Sequence, residues 1–305
     1  MTTGAHHGRA ALARATLLVV FAAACFGSIA ILTALATRAG TSLPTVLAYR
    51  YGIGAVLLML AAGGPTRLAL PRGHAVRALA LGGGGQAVVA GLSLSSLQWI
   101  PAATLGFLFY TFPAWVTLFA AVRGTEPVNA RRATALTLSL AGIALMVGSP
   151  QAGDVPLRGV ALALSAALAY ALYIPLLDRL QVGTTPAVAS TWVTGGAAVI
   201  FAAAALANGT LTARLPAVSW LSVMLLALVC TAFAFIAFLR GLGVLGPVRT
   251  AIISTVEPFW TALLGALVLA QPMTPPMLAG GALIATAVVL LQLRSPRERA
   301  AEVAG

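Results

Sequence analysis

Charge is scarce in this sequence, and one of the two common basic residues is missing. Only 8% of the 305 residues are charged, and the 18 basic residues are all arginine, with no lysine. A soluble domain carries about 25% charged residues, whereas 60% of the residues here are hydrophobic. So few polar side chains could not cover this apolar surface in water. The composition therefore excludes an ordinary soluble domain and predicts a membrane protein.

Cysteine and histidine are also rare. Cys25 and Cys230 lie inside apolar stretches, where a thiol packs as a small apolar side chain. Two such cysteines supply neither a disulfide framework nor a metal-ligand spacing. The three histidines lie near the start of the chain or at a predicted helix end, which excludes a deep histidine-ligated metal site. We expect no metal, no cofactor and no enzyme, since nucleophile motifs and acidic pairs are missing too.

Long apolar runs, in contrast, fill most of the chain. About ten stretches of roughly 18–24 residues are long enough to cross a hydrocarbon core of about 30 Å. They lack the alternation of barrel strands and so predict helices. The predicted segments are 15–37, 43–62, 75–95, 101–122, 132–149, 157–178, 186–207, 216–239, 247–269 and 274–293. The sequence therefore predicts an all-α membrane protein with ten transmembrane helices.

The net charge of +12 is explained by membrane topology. With a cytoplasmic N-terminus, most arginines fall on the inner side, and only Arg38, Arg158 and Arg214 fall on the outer side. This asymmetry fits the positive-inside rule and predicts that both termini are cytoplasmic. A nucleic-acid-binding protein would need its basic residues on one contiguous face. We therefore expect no nucleic-acid partner.

The second half of the chain repeats the first at a constant offset. Pro113 and Trp115 recur as Pro258 and Trp260, each 145 positions later (258 − 113, 260 − 115). An internal repeat in a very apolar chain is typical of membrane transporters, and five helices per repeat would place the second copy upside down.

Loop charge supports this inversion. Three arginines after the fourth segment correspond at the same offset to uncharged residues: Arg123 to Val268, Arg131 to Pro276, and Arg132 to Met277. Equivalent loops on opposite membrane faces should differ in this way. We predict two inverted five-helix repeats, at 15–149 and 157–293, with cytoplasmic tails at 1–14 and 294–305.

Two charged residues lie deep within predicted segments, Glu257 in the ninth and Arg50 in the second. A charge at the bilayer centre costs about 2.5–3.5 kcal/mol on insertion scales, so both are functional candidates. Thr250, Ser254 and Thr261 are spaced to share a helical face with Glu257. Their equivalents in the fourth segment are all apolar: Leu105, Phe109, Phe112 and Val116. We predict a substrate or coupling site at Glu257, with Arg50 as its partner or as a ligand for an anionic substrate group.

Prolines and aromatic residues surround this candidate site. Prolines within predicted segments remove helical hydrogen bonds and bend their helices: Pro113, Pro175 and Pro258. Pro258 leaves the carbonyl of Ser254 without its usual donor. Such kinks either line a cavity or pack against protein. Aromatic side chains supply candidate cavity walls for an organic solute, with ordinary packing as the alternative: Tyr110, Tyr173 and Trp192.

Several local motifs extend the pattern: Phe26-Gly27, Pro44 followed by Tyr49-Arg50-Tyr51, Pro113 before Glu126-Pro127, Pro186, Pro247 and Glu257-Pro258. With the ten helices and two repeats, they resemble the EamA-type transporters of the drug/metabolite transporter superfamily over roughly 15–293. The chain departs from that family at Gln271, where an acid is expected, and at Phe26, where a tryptophan is expected.

The resemblance implies a secondary transporter in a bacterial inner membrane. It would export a small organic solute (an amino acid, metabolite or drug-like compound) by alternating access, and Glu257 would couple transport to protons or substrate. Its partners would be the solute, the lipid bilayer and protons, in a monomer or homodimer. The alternatives are an uncoupled uniporter or importer with a structural Glu257 and, from another class, a membrane-embedded enzyme or scaffold subunit.

Overall fold

A computed structural model describes residues 3–122, 130–148, 155–181 and 184–292, and none of these residues forms a β-strand. The α-helices of these residues are α1 (Thr3–Arg38), α2 (Leu43–Ala61), α3 (Arg72–Ala80), α4 (Ala87–Ser95), α5 (Ala102–Phe109), α6 (Phe112–Val122), α7 (Ala130–Gly148), α8 (Leu157–Gln181), α9 (Pro186–Ala207), α10 (Ala217–Ala227), α11 (Ala234–Ser254), α12 (Val256–Leu269) and α13 (Pro275–Gln292). Two π-helical turns join α3 to α4 (Leu81–Gln86) and α10 to α11 (Leu228–Phe233). The prediction of an all-α protein is confirmed.

Among the described residues, six helical runs are long and apolar enough to cross a membrane: Ala11–Arg38, Leu43–Ala61, Arg72–Gln98, Leu157–Leu177, Ala187–Ala207 and Ala217–Leu242. Three shorter apolar helices accompany them: Ala102–Val116, Val256–Leu269 and Pro275–Leu291. These lengths support a multi-pass membrane protein, while the count of ten spans stays a prediction.

The predicted loop between the eighth and ninth segments is wrong. Residues 240–246 are helical, because α11 continues from Ala234 to Ser254. Gly241 within this stretch packs against Ala15 and Val19 of α1, so it serves helix contact rather than a turn. The break comes instead at Thr255, just before Pro258. A proline there cannot donate to Ser254, four residues earlier, and this favours a helix end at that point.

Equivalent breaks interrupt the fourth and ninth segments. Helix α5 ends at Phe109 and α11 ends at Ser254, which are 145 positions apart (254 − 109). Pro113 and Pro258 follow in the first turns of α6 and α12, so both predicted kinks are complete interruptions. Pro175, in contrast, lies inside α8, which continues through it as a helix.

The two halves of the chain pack reciprocally. Helix α1 contacts α11 and α12 of the second half, and α8 contacts α4, α5 and α6 of the first half. Helix α2 packs on α9, and α7 packs on α13. At the offset of 145 residues, α1 corresponds to α8, α2 to α9, α4 and α5 to α11, α6 to α12, and α7 to α13. Exchanging each helix for its equivalent leaves this pattern of contacts unchanged, as expected for a duplicated fold.

Small residues set the distance between α7 and α13. A Cβ atom added to Gly142 would lie 2.6 Å from the carbonyl oxygen of Gly280. A Cβ atom added to Gly280 would likewise lie 2.6 Å from the carbonyl oxygen of Gly142. Their equivalents at the offset, Ala287 and Ala135, are both fully buried. Small residues on both helices let the backbones approach closely, as is common between membrane helices.

Helices α3 and α4, with the π-turn between them, run antiparallel to α8. At one end, Nε2 of His74 lies 2.8 Å from the carbonyl oxygen of Leu180. Midway, Gly85 lies against the ring of Tyr173. At the other end, Gly159 of α8 packs beside Trp99. Between these contacts, α8 and the run from α3 to α4 leave a groove, which is described below.

Candidate functional site

Glu257 lies in the first turn of α12, immediately after the break in the ninth segment. Thr250 and Ser254 belong to the end of α11, whereas Glu257 and Thr261 belong to α12. The spacing predicts that the four residues share one face of one helix. This prediction is wrong, because they belong to two helices. Since α11 ends before Pro258, the polar groups come together around a helix break instead.

The hydroxyl group of Tyr110 joins the two breaks. Tyr110 lies between α5 and α6, and its Oη atom is 2.7 Å from the carbonyl oxygen of Ser254 and 2.7 Å from Oε2 of Glu257. The carbonyl of Ser254 is the one that Pro258 deprives of a backbone donor. Tyr110 therefore supplies a donor for that freed carbonyl and also contacts the carboxyl group. The first half of the chain thus completes a polar site that the second half leaves open.

This three-group arrangement can respond to a proton on Glu257. The single tyrosine proton can be donated either to the carboxylate or to the carbonyl of Ser254. Once the carboxyl group is protonated, its own O–H can donate to the Tyr110 oxygen, and the tyrosine proton is then available to the carbonyl. Protonation of Glu257 would therefore change the direction of the hydrogen bond that joins the two halves.

Replacing Tyr110 with phenylalanine is expected to lower the free energy of unfolding by about 1–3 kcal/mol, because the partly buried carbonyl of Ser254 loses its donor. Thermal unfolding of the purified protein in detergent measures this loss. Tyr49→Phe is the matched control, since the hydroxyl of Tyr49 donates to the carbonyl of Thr212 at an exposed position (3.1 Å). Equal destabilisation by the two substitutions would contradict the role given to Tyr110.

Helix α1 packs directly on the start of α12. Oγ1 of Thr261 is 2.9 Å from the carbonyl oxygen of Gly27 and 3.0 Å from that of Glu257, and it can donate to either. Nε1 of Trp260 donates to Oγ of Ser28 (3.1 Å). A Cβ atom added to Gly27 would lie only 2.7 Å from the carbonyl oxygen of Glu257. The missing side chain of Gly27 is therefore what permits the contact.

Aromatic rings cover one side of the polar site. The ring centroid of Tyr170 in α8 lies 4.9 Å from that of Phe112 and 5.2 Å from that of Phe109. Tyr110 lies 6.1 Å from Phe112, and Tyr173 lies 6.2 Å from Tyr170. We call Phe109, Tyr110, Phe112 and Tyr170 the aromatic cluster. Phe112 is the equivalent of Glu257 at the repeat offset, so the two copies contribute a ring and a carboxyl group to one location.

Arg50 lies elsewhere in the structure. Its side chain is only 7% exposed, its guanidinium carbon lies 5.0 Å from the ring centroid of Tyr51, and its Nε atom is buried without a hydrogen-bond partner. Among the described residues, it forms no ion pair with Glu257, whose Oε2 atom is hydrogen-bonded to the hydroxyl group of Tyr110. The predicted pairing is therefore not made in this conformation.

Trp192 and Tyr173 pack together beside Tyr170 of the aromatic cluster. Nε1 of Trp192 donates to the carbonyl of Leu68 (3.0 Å), ahead of α3. Trp192 packs in one apolar cluster with Tyr173 and Leu180. The two residues support the contact of α9 with α3 and α8, and their predicted place in the Glu257 site stays a prediction.

Gln271 has a contact that the sequence did not reveal. Its Oε1 atom accepts a hydrogen bond from the backbone N–H of Ala102 (3.1 Å), at the first residue of α5. Backbone N–H groups in a first helical turn have no partner within the helix. The residue at the position where the resemblance led us to expect an acid therefore caps a helix of the other half. Its equivalent at the offset, Glu126, lies outside the described residues.

Both halves of the chain match the same family of proteins. Residues 13–148 and residues 157–293 each match the EamA-like transporter family. The Uncharacterized transporter YvbV of Bacillus subtilis (strain 168) is 24% identical over 218 residues, which cover 70% of each chain. The Uncharacterized inner membrane transporter YicL of Salmonella typhimurium (strain LT2) is 30% identical over 202 residues, which cover 64% of this chain and 66% of that protein.

A solved crystal structure shares the fold. It superposes with a TM-score of 0.60 over 90% of this chain and 95% of its own length, at 21% sequence identity. Within the described residues of the present chain, no three His, Cys, Asp or Glu side chains lie together as metal ligands would.

Proposed function

The chain belongs to the EamA-like transporter family and is a multi-pass membrane protein, and on this premise we propose that it exports a small organic solute by alternating access. The observation that carries the proposal is the contact of Tyr110 with Glu257 and with the carbonyl of Ser254. Tyr110 comes from the first family match, and the other two come from the second. Relative movement of the two halves has to break or rearrange these bonds.

The helix breaks support a binding site at this level. Interrupted helices at membrane depth are tolerated where they line a cavity or pack against protein, and transporters use them to hold substrates and ions. Here the breaks at Tyr110 and Thr255 adjoin a carboxyl group and the aromatic cluster. An organic solute would lie against those rings and present a polar group to Glu257.

Proton coupling follows from the cost of a charge in the membrane. Glu257 would carry a proton while its surroundings are closed to water, since an uncompensated carboxylate at membrane depth is unfavourable. It would lose that proton when its side of the cavity opens to water. Without such coupling, the protein would be a uniporter in which the bond between Tyr110 and Glu257 is only structural.

The proposed topology has ten helices in two inverted five-helix repeats, in a bacterial inner membrane with both termini cytoplasmic. Reciprocal packing of the halves and helix ends at equivalent positions, Phe109 and Ser254, support the duplication. The arginine asymmetry between equivalent loops supports the inversion. A cysteine-accessibility map of the loops would test each orientation.

Transport itself is tested in two steps. Cells with and without the gene are screened for resistance to, and export of, a panel of amino acids, metabolites and drug-like compounds. The purified chain is then placed in proteoliposomes, and flux of each positive solute is measured with imposed pH gradients and with a protonophore. We expect solute flux that follows the gradient and falls when the gradient is collapsed. Flux indifferent to the gradient would contradict proton coupling, and failure to move any solute that cells export would contradict the transporter assignment.

A further inference from the structure

A groove of about 590 Å³ separates α8 from α3, α4 and the π-turn between them. Its length is lined by small and apolar residues: Leu81, Gly84, Val88, Leu172, Tyr173 and Leu176. Val88, Leu172 and Leu176 are each 44–48% exposed, so the apolar wall is open to the surroundings of the helices. In a membrane-spanning protein, that surrounding medium is lipid.

One end of the groove is basic. His74, Arg77 and Arg179 all line it, and none of the described residues in its lining is acidic. Both arginines are exposed, which leaves their guanidinium groups accessible. His74 contacts the carbonyl oxygen of Leu180 and holds α3 to α8 at this end. The groove is therefore amphipathic along its length, with cations at one end and hydrocarbon beyond them.

The glycine run of the π-turn makes room for an occupant. Gly82, Gly83 and Gly85 each pack against neighbouring atoms, on Val193, Ile200 and Tyr173 respectively. A Cβ atom added to Gly84 would meet nothing within 4 Å, and Gly84 lines the groove. Three glycines therefore serve helix contact, and the fourth keeps the groove wide.

We propose that this groove binds an anionic phospholipid from the leaflet on the arginine side, which is the predicted cytoplasmic leaflet. The phosphate group would lie between Arg77 and Arg179, because guanidinium groups bind phosphate oxygens through paired hydrogen bonds. One acyl chain would follow Gly84, Val88 and Leu172 into the membrane. Basic pockets between membrane helices on the cytoplasmic side are suited to anionic lipid head groups. The apolar wall favours a lipid over a free phosphate ion, since a soluble anion would leave that wall uncovered.

The first test measures the head-group contacts. The full-length chain, purified in mild detergent, is titrated with phosphatidylglycerol or phosphatidylcholine, and bound lipid is counted by native mass spectrometry. We expect preferential retention of phosphatidylglycerol, and a roughly fivefold loss of affinity for each groove arginine replaced by alanine. Arg77→Ala combined with Arg179→Ala is compared with Arg67→Ala combined with Arg72→Ala, which removes the same charge from exposed residues outside the groove. Equal losses in the two double variants, or equal retention of the two lipids, would overturn the proposal.

The second test fills the groove. Gly84→Leu places a side chain in open space, so the fold should be retained while bound phosphatidylglycerol falls by at least about tenfold. Gly52→Leu is the control, because a Cβ atom there also meets nothing within 4 Å and Gly52 lies outside the groove. Inorganic phosphate is added in a separate arm. Displacement of the lipid by millimolar phosphate, or unchanged lipid binding in Gly84→Leu, would contradict a lipid held along the groove.

Discussion

Replacing Glu257 with glutamine is expected to lower gradient-driven solute flux by about 100-fold. A factor of this size is within the range by which binding at one site typically changes the affinity of another site. Glutamine keeps an oxygen that can accept the hydrogen bond of Tyr110, so the connection between the halves is retained. It cannot gain or lose a proton at neutral pH, so the proposed coupling step is removed. Exchange of solute across vesicles without a pH gradient should therefore survive better than uphill transport.

The experiment compares three proteins in proteoliposomes at equal density: the unchanged chain, Glu257→Gln and Tyr110→Phe. Tyr110→Phe keeps the carboxyl group and removes the hydroxyl, so it should lose stability and show a weakened but still measurable response to the gradient. Normal gradient-driven flux in Glu257→Gln would contradict the coupling role. Loss of folded protein in the membrane, in proportion to the loss of flux, would indicate the structural role instead.

The carboxyl group of this candidate site could be predicted from sequence, whereas Tyr110 could be predicted only as a cavity-wall residue near it and not as its hydrogen-bond partner. Glu257 is conspicuous because acidic residues are so scarce in apolar segments, and Pro258 identifies Ser254 as the residue with a freed carbonyl. Tyr110 lies 147 positions from Glu257 in the chain, and no local pattern connects them. Its charge gives Arg50 two possible roles, as the partner of Glu257 or as a ligand for an anionic substrate group, and the structure places it beside Tyr51. Charge alone therefore indicates a candidate site without identifying its contacts.

The helical fold could be predicted from the apolar runs, whereas the count of ten spans stays a prediction and the predicted boundary near Arg240 is wrong. Hydropathy falls near Arg240, and a loop was expected there, but Gly241 packs on α1 and the helix continues. The break at Thr255 follows from a missing backbone donor at Pro258, which hydropathy does not record. Helix ends in this chain depend on contacts between distant segments, which a single sequence does not specify.

Substituting Gly27 is expected to have the second large effect, because it acts on backbone atoms at the site. Valine at this position would press on the carbonyl oxygen of Glu257 (2.7 Å) and on Oγ1 of Thr261 (2.9 Å) from its Cβ atom alone. Overpacking of this kind costs about 1–3 kcal/mol of folding free energy. A carbonyl oxygen cannot rotate away as a side chain can, so α1 and α12 have to separate. We expect Gly27→Val to abolish flux and to lower the unfolding temperature.

Alanine gives the sharper comparison for the same contact. At an open helical position, Gly→Ala stabilises a helix by up to about 1 kcal/mol, since alanine has the higher helix propensity. Gly52 is such a position, with nothing within 4 Å of an added Cβ atom. Gly52→Ala should therefore raise the unfolding temperature, whereas Gly27→Ala should lower it and reduce flux. The same sign for both variants would mean that α1 can yield at Gly27 without cost, and the close packing of α1 on α12 would then not be what holds Glu257 in place.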